Sequence, residues 1–293
     1  MSTSTIAFIG LGNMGGPMAA NLQRAGHRVI GFDVTAGRMA EAARAGIEVA
    51  ESATTAVRMA DVVVTMLPAA PYVAEVWDEV VPAAPTGALL IDSSTCDVAT
   101  TRALHEKAAA AGLRSLDAPV SGGTGGAQAG TLTFMVGGSA EAFAAAEPLL
   151  AKMGRKAVHC GDGGAGQAAK ICNNMILGVS IIAVSEAFVL GEKLGLSPKA
   201  LFDVASTSTG QCWALNTYCP VPGLVPTSPA NNDYRPGAPA TMLLKDLRLA
   251  MQAAQEAGAS PALGEHATDI FERFVDDGHG GEDFSAIIRA LRA

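Results

Sequence analysis

Between Thr5 and Cys160 the chain alternates short apolar runs with amphipathic stretches, and this alternation restricts the fold more than any other feature. Strands that are buried on both faces read as continuous apolar runs, so the rhythm predicts a doubly wound parallel sheet in an α/β domain. The predicted strands are Thr5–Gly10, Arg28–Asp33, Asp61–Leu67, Ala88–Ser93, Arg114–Val120, Thr131–Gly137 and Lys156–Cys160.

The strand pattern stops near Gly163, and the rest of the chain has helical spacing. The stretch Gly166–Leu194 is long enough for one continuous helix, and its apolar residues lie on nearly all sides, which predicts that it is buried. We therefore expect two domains, 1–162 and an all-helical 163–293, linked through a long central helix. The proline-rich segment Cys219–Pro239 is expected to be an ordered irregular loop.

Charge and cysteine content exclude several classes of function. The 20 Lys and Arg residues against 28 Asp and Glu give a net charge of −8, which argues against nucleic acid or an anionic membrane as partner. The five cysteines form no C-x-x-C pair, so neither a disulfide scaffold nor a metal site is expected. The most apolar run, Met175–Val184, is too short to span a membrane. These features favour a soluble intracellular protein. Because the sequence starts at Met1, we expect a bacterial cytoplasmic protein, or a mitochondrial matrix protein if a presequence was removed.

A glycine pattern directly follows the first predicted strand. It has the form G-x-G-x-x-G and is filled by Gly10, Leu11, Gly12, Asn13, Met14 and Gly15. In a strand–turn–helix context the three glycines permit a tight turn, a close backbone approach to a pyrophosphate and close helix packing, whereas a plain glycine turn is the alternative. The N–H groups at the start of the helix stabilise phosphate charge. The pattern predicts that residues 1–162 form a Rossmann domain.

An acidic residue ends the second predicted strand, 18 residues after Gly15. This residue, Asp33, is where an acid that accepts hydrogen bonds from the adenosine ribose hydroxyls belongs. A 2′-phosphate at that place would face a like charge, so the sequence favours NAD over NADP. Arg38 is close in sequence and would soften that exclusion. The alternative for Asp33 is a turn residue at a strand end.

Three further strand ends point to the same edge of the sheet, where ligands of open α/β sheets bind. Met66, Leu67 and Pro68 follow one strand and could form an apolar wall over the ribose, and Thr95 follows the next and could reach the nicotinamide. Ser121, Gly122 and Gly123 follow a third strand. A hydroxyl beside two glycine N–H groups suits a carboxylate, although each segment could equally be a turn.

Two polar residues on the long predicted helix are the candidates for acid–base chemistry. Lys170 and Asn174 are four residues apart and therefore share one face, in a row that Gly166 and Gly178 continue. A lysine on an apolar helix is costly to bury unless it is paired or functional. Burial and a positive nicotinamide would lower its pKa from about 10.4 towards a value useful for proton transfer. The alternative is a lysine that extends to the surface.

Other candidates are weaker. No histidine is placed beside one of these strand ends, so we expect none of them to be the catalytic base; they are His27, His105, His159, His266 and His279. The adjacent pair Lys245 and Asp246 lies on a later helix and could be a solvated face. Cys172 is expected to point away from the Lys170 face into the core.

Taken together, these segments resemble the β-hydroxyacid dehydrogenase family over essentially the whole chain. The resemblance is carried by Ile6–Gly15, Thr65–Pro68, Ile91–Thr95, Asp117–Gly123, Gly166–Asn174 and Lys245–Leu247. Cys212-Trp213 and Asn216–Gly223 resemble the branch of the family that acts on 3-hydroxyisobutyrate. One segment departs from the family, because Gly237–Thr241 lacks an expected aromatic residue, which affects the expected shape of the substrate cleft between the two domains.

The resemblance implies roles for the candidate residues. Lys170 is then the acid/base, Asn174 holds the reacting hydroxyl, Ser121, Gly122 and Gly123 bind the substrate carboxylate, and Lys245 closes over the nicotinamide. It also implies a homodimer or homotetramer built on the helical domain, and oxidation of 3-hydroxyisobutyrate to methylmalonate semialdehyde with NAD, a step of valine breakdown. Two alternatives remain: reduction of tartronate semialdehyde or another short semialdehyde, and a catalytically silent dehydrogenase fold that acts as a binding module.

Overall fold

The computed structural model describes residues 3–292, which form two compact units. The first unit ends at Lys170 and the second begins at Ile171. The change of unit falls inside one long helix, whose first turns pack with the sheet that precedes it. That two independent domains meet between residues 162 and 163 remains a prediction.

The first unit is built on one sheet of nine strands. In order across the sheet they are β3, β2, β1, β4, β5, β6, β8 and β7, with β9 also paired to β8. The six strands from β3 to β6 are parallel, as the doubly wound pattern predicts. Their bounds are β1 Thr5–Ile9, β2 Arg28–Phe32, β3 Glu48–Val49, β4 Val62–Thr65, β5 Leu89–Asp92, β6 Arg114–Asp117, β7 Val120–Ser121, β8 Leu132–Gly137 and β9 Gly154–Gly161.

Seven helices connect these strands, and short polar side chains begin several of them. The side chains of Ser52, Asp97 and Ser139 each accept a hydrogen bond from a backbone N–H in the first turn that follows, which satisfies a donor that has no partner within the helix. The helices are α1 Gly15–Arg24, α2 Ala36–Arg44, α3 Ala53–Val57, α4 Ala70–Val80, α5 Val98–Ala110, α6 Gly123–Ala129 and α7 Ala140–Met153.

The two faces of the sheet are packed by separate apolar clusters. Along β1, Ile6 and Phe8 belong to one cluster, and Ala7 and Ile9 belong to the other. Successive strand side chains point to opposite faces, so a strand buried on both sides needs apolar residues at every position. This is why the predicted strands read as continuous apolar runs.

The structure differs from the sequence-based prediction at the outer strands. The predicted strand Arg114–Val120 is split into β6 and β7 around Ala118 and Pro119, and β8 runs antiparallel to both. The short strand β3 and the helix α6 have no counterpart in the prediction. The doubly wound parallel part of the sheet therefore ends at β6.

The second unit is all-helical, as the loss of strands predicts. Its core contains a buried cluster of aliphatic and aromatic side chains that includes Phe188, Leu247, Phe271 and Phe274. The proline-rich segment is an irregular loop with one 3-10 turn, Pro229–Asn232. The helices are α8 Ala165–Lys193, which begins in the first unit, α9 Pro198–Ala205, α10 Trp213–Asn216, α11 Ala240–Ala257, α12 Ala262–Phe274 and α13 Ile287–Arg292.

The long helix α8 is less buried than its composition predicts. By length and composition it could cross a membrane, with a mean hydropathy of 1.8 over the most apolar 18 residues, and 44% of that stretch is buried. Ile176 and Leu190 are exposed. Cys172 is also exposed, so the expectation that it lies in the core is wrong. A mostly apolar helix has no polar side to mark which face is left outside a core.

Candidate active site

The turn between β1 and α1 has the geometry of a phosphate-binding loop. Gly10 has a left-handed φ of 94°, and its N–H donates to the carbonyl of Phe32 at 2.9 Å. A β-carbon at Gly10 would collide with the Met66 carbonyl oxygen, and one at Gly15 would collide with the Gly10 carbonyl oxygen. Gly12 differs, because a β-carbon there would meet no described protein atom within 4 Å. The turn is therefore closely packed at Gly10 and Gly15 and open at Gly12.

A carboxylate is fixed beside this turn. Asp33 follows β2, where Oδ2 accepts from the Leu11 N–H and Oδ1 from the Thr35 N–H, both at 2.8 Å. The side chain of Arg38 is held by Asn13, at 2.7 Å, and by Glu41, at 3.0 Å. These residues fit a dinucleotide, because the open Gly12 admits a diphosphate and the half-exposed Asp33 can accept from ribose hydroxyls.

The ends of β4 and β5 are tied together by a buried acid that sequence reasoning did not select. Asp92 Oδ1 accepts from the hydroxyls of Thr65, at 2.7 Å, and Ser94, at 2.6 Å. The Ser94 hydroxyl oxygen in turn accepts from the Leu67 N–H at 2.8 Å. Burial raises the pKa of Asp92, and these hydrogen bonds offset part of that rise. Asp92 thus joins the segment Met66–Pro68 to the segment that leads to Thr95.

The predicted carboxylate-binding segment lies at the split between β7 and α6. Ser121 ends β7 opposite Thr133 of β8, and α6 begins at Gly123. Gly122 and Gly123 have φ values of 135° and 60°, which favour glycine. The two glycines are exposed and Ser121 is half-buried, so this segment can be reached by a ligand.

Lys170 is buried next to that segment. It is 8% exposed, and its Nζ donates to the carbonyl oxygen of Val120 at 2.9 Å. Val120 immediately precedes Ser121, so the structure places the candidate acid/base beside the candidate carboxylate-binding residues. The alternative that Lys170 extends to solvent is excluded by its burial.

The second unit contains a polar cluster of its own. Asn174, one helical turn after Lys170 on α8, is 5% exposed, and its Nδ2 donates to Asp246 Oδ2. Asp246 is 2% exposed, and its Oδ1 lies 3.6 Å from Lys245 Nζ. Asp246 is therefore not on a solvated face, whereas the side chain of Lys245 is half-exposed. Sequence reasoning had no signal for the partner of Asp246, since 72 residues separate Asn174 from it.

Two further features bear on the chemistry available. Among residues 3–292, no group of three or more His, Cys, Asp or Glu side chains is placed to hold a metal ion.

A pocket beside α11 is lined by Thr241, Leu244, Lys245, Arg248, Leu249, Gln252 and Val275. The segment Gly237–Thr241 leads into this helix, and the Gly237 and Ala238 N–H groups both donate to Asp283 Oδ2, at 3.0 and 3.2 Å.

A parallel sheet with an open glycine turn after its first strand and a carboxylate after its second is the arrangement with which dehydrogenases bind NAD. The chain is accordingly an NAD-binding oxidoreductase. The family models agree with this class. Residues 5–161 match the NAD-binding domain of 6-phosphogluconate dehydrogenase, and residues 164–291 match the NAD-binding domain of NADP-dependent 3-hydroxyisobutyrate dehydrogenase. The chain belongs to the 3-hydroxyisobutyrate dehydrogenase family.

Individual relatives cover nearly the full length of the chain. A probable 3-hydroxyisobutyrate dehydrogenase of Mycobacterium tuberculosis is 54% identical over 290 residues, which cover 99% of this chain and 98% of the relative. A solved structure of 3-hydroxyisobutyrate dehydrogenase from the same species, with L-serine, has a TM-score of 0.97 at 54% identity and covers all of both chains. An NAD-dependent L-serine dehydrogenase of Pseudomonas aeruginosa is 44% identical over 285 residues, 96% of each chain.

Proposed function

We propose that this chain oxidises 3-hydroxyisobutyrate to methylmalonate semialdehyde, with NAD as oxidant and Lys170 as the general acid/base. The observation that carries the proposal is the burial of Lys170, whose Nζ lies 2.9 Å from the carbonyl of Val120, the residue before Ser121. This burial places the amine beside the candidate carboxylate-binding residues, and a lysine amine within reach of a substrate hydroxyl can serve as a general acid or base.

The substrate has two groups that these residues can recognise. The Ser121 hydroxyl and the N–H groups of Gly122 and Gly123 would bind its carboxylate, since several donors can converge on two oxygens. The Lys170 amine would accept the proton of its hydroxyl, and Asn174 would hold the oxygen. Bound NAD would supply the acceptor for the hydride that leaves the carbon carrying that oxygen. The balance is one alcohol and NAD converted to one aldehyde, NADH and a proton on Lys170.

The proposed preference for NAD over NADP rests on Asp33. Both of its oxygens are fixed by backbone N–H groups, so the carboxylate cannot easily turn away from a 2′-phosphate. Arg38, the cation that could bind such a phosphate, is instead engaged by Asn13 and Glu41. Like charge at Asp33 then disfavours NADP, because a buried or half-buried phosphate needs a cationic partner.

A second candidate substrate is L-serine. The relative named NAD-dependent L-serine dehydrogenase and the solved structure with L-serine both favour it. L-serine has the same hydroxymethyl group and carboxylate as 3-hydroxyisobutyrate, with an ammonium group in place of the methyl group. The residues proposed above would bind the carboxylate and hydroxyl of both compounds in the same way. Selectivity between them therefore depends on which residues face the methyl or ammonium group. The same residues would also serve the reduction of tartronate semialdehyde.

Initial rates with a matched set of substrates test the proposal. (S)-3-Hydroxyisobutyrate and L-serine are each assayed with NAD and NADP by absorbance of the reduced cofactor, and tartronate semialdehyde is assayed with NADH. We expect the highest kcat/KM for 3-hydroxyisobutyrate with NAD. A higher kcat/KM for L-serine or tartronate semialdehyde would identify that compound as the preferred substrate, while the proposed mechanism would stand. Cofactor binding without turnover of any of the three would contradict the proposal and favour a silent binding module.

We also propose that the chain is a homodimer or homotetramer in the cytoplasm. Apolar side chains of α8 and of the turn after it are exposed in the described chain, among them Ile176, Leu190 and Leu194. Apolar side chains that a single chain leaves exposed along a long helix can be covered by a second copy of that chain. Light scattering after size-exclusion chromatography would test the assembly, and a monomer would contradict it.

A further inference from the structure

A buried carboxylate at the end of β6 contacts the start of α8. Asp117 is 1% exposed, and its two oxygens accept from backbone N–H groups of the helix start: Oδ1 from Gly164 at 2.8 Å and Oδ2 from Gln167 at 2.9 Å. Such N–H groups have no partner within the helix, and a negative charge at this end also interacts favourably with the helix dipole. Asp117 therefore anchors the first turn of α8 to the sheet.

A histidine completes this anchor. His105 Nε2 lies 2.9 Å from Asp117 Oδ1, and Ser115 Oγ lies 2.7 Å from His105 Nδ1. A carboxylate can only accept, so Nε2 carries a proton and donates to Asp117. In the neutral ring, Nδ1 then accepts from the Ser115 hydroxyl. His105 thus holds the Asp117 carboxylate in the orientation that meets the helix.

Three glycines allow the backbone to lie close to the Asp117 and His105 side chains. A β-carbon at Gly137 would collide with Asp117 Oδ1, and one at Gly166 would lie 2.8 Å from Asp117 Oδ2. A β-carbon at Gly163 would lie 2.7 Å from the His105 ring. Both the strand and the helix start can approach the Asp117–His105 pair only because they lack side chains at these positions.

The anchored turn leads directly to the proposed acid/base. Gln167, whose N–H is held by Asp117, lies three residues before Lys170 on α8. Lys170 Nζ reaches back to the carbonyl of Val120, three residues after Asp117. A shift or fraying of the first turn would therefore move the Lys170 amine relative to Ser121. Misplacement of a reacting group by about 1 Å can cost on the order of 100-fold in rate.

We propose that Asp117 and His105 are positioning residues that set the place of the Lys170 amine by anchoring the first turn of α8. The inference rests on the proposed role of Lys170 as acid/base. Neither side chain touches the substrate or the cofactor in this account. Both act through the backbone of residues 164–167.

Two conservative variants separate the contacts of His105. In His105→Gln the side-chain amide reaches as far as Nε2 and keeps the donor to Asp117, whereas in His105→Asn it reaches only as far as Nδ1 and keeps the contact with Ser115. Asp117→Asn turns one acceptor oxygen into a donor that faces other donors. His27→Asn is the matched control, because His27 lies just before β2, at the end of that strand opposite Asp33.

Steady-state kinetics of the folded variants give the first readout. We expect His105→Asn and Asp117→Asn to lower kcat by roughly 10- to 100-fold with KM for NAD unchanged, and His105→Gln to restore kcat. The control His27→Asn is expected to match the wild type. Wild-type kcat in His105→Asn and Asp117→Asn would overturn the inference, as would a loss in His105→Gln as large as that in His105→Asn.

Hydrogen exchange gives a second readout that does not depend on activity. Mass spectrometry of a peptide spanning residues 162–170 is expected to show faster exchange in His105→Asn and Asp117→Asn than in His105→Gln or the wild type. Unchanged exchange in the two weakened variants would refute the anchoring. Lys170→Ala is assayed in parallel. Full activity of Lys170→Ala would refute the proposed acid/base and its positioning, while the exchange data would still decide whether Asp117 anchors the helix.

Discussion

Two glycines of the same turn should respond in opposite ways to the same substitution. A methyl group at Gly12 would meet no described protein atom within 4 Å, whereas one at Gly15 would collide with the Gly10 carbonyl oxygen and lie 3.0 Å from the Phe8 ring. Neither glycine has a left-handed φ, so alanine is compatible with both backbones. We predict that Gly12→Ala impairs binding of NAD without loss of stability, and that Gly15→Ala destabilises the first unit.

The magnitudes follow from these contacts. At Gly12, alanine should raise the free energy of unfolding by about 0.4–1 kcal/mol, because it restricts the unfolded chain. The same methyl group would hold the diphosphate away from the N–H groups of the turn. Loss of one hydrogen bond to a charged group costs about 1.5–3 kcal/mol, which corresponds to roughly 10- to 150-fold weaker binding. At Gly15, overpacking against rigid backbone should cost about 1–3 kcal/mol or more of stability.

Thermal unfolding and NAD titration of both variants measure these effects separately. For a unit of this size, about 1–3 kcal/mol corresponds to a fall in Tm of roughly 2–12 °C for Gly15→Ala. Gly12→Ala should unfold at or above the wild-type Tm while its Kd for NAD rises. Wild-type NAD affinity in Gly12→Ala would refute the location of the diphosphate. Equal destabilisation of the two variants would refute the packing argument.

Three further predictions concern acids near the site. Asp33→Ser should raise kcat/KM with NADP relative to NAD, and an unchanged ratio would contradict the role of Asp33. The pKa of Asp92 is raised in the folded state, so its stabilising contribution is complete below the unfolded value of about 3.8 and is lost as pH rises. In urea unfolding, the free energy of unfolding of Asp92→Asn should therefore rise relative to that of the wild type from pH 4 to 7. A difference that stays constant with pH would contradict this. Asp246→Ala should lower kcat, because it removes the acceptor of Asn174 Nδ2 and the carboxylate beside Lys245, whereas wild-type kcat would show that these contacts are not needed.

The local part of the fold could be predicted from the sequence. Continuous apolar runs specified the parallel strands, because both faces of the sheet are covered, and the glycine turn stands where its spacing predicts. The pair of residues that form β3 is too short to show a periodicity. The break at Pro119 was hidden within an apolar run, since Ala118 and Val120 on either side of it are buried.

The candidate site could be predicted only as far as single residues reveal chemistry. Lys170 was evident, because a lysine is rare on an apolar helix. In the sequence, Asp117 has no signal of its own beyond its place in the segment Asp117–Gly123, because its contacts are with N–H groups 47 and 50 residues away. Asp246 was similarly ambiguous, since its hydrogen-bond partner Asn174 lies on a different helix, 72 residues earlier in the chain. The prediction that Cys172 is buried was wrong, because composition alone does not show which face of α8 is covered.

The most direct test of the account is turnover of 3-hydroxyisobutyrate by Lys170→Ala with saturating NAD. Loss of a general acid/base is expected to lower kcat by about 10²–10⁴-fold, or about 3–5.5 kcal/mol of barrier, while the Kd for NAD stays unchanged. Lys193→Ala, at the exposed end of the same helix, is the matched control and should retain wild-type kcat. Near-normal kcat in folded, NAD-binding Lys170→Ala would contradict the central role given to this lysine.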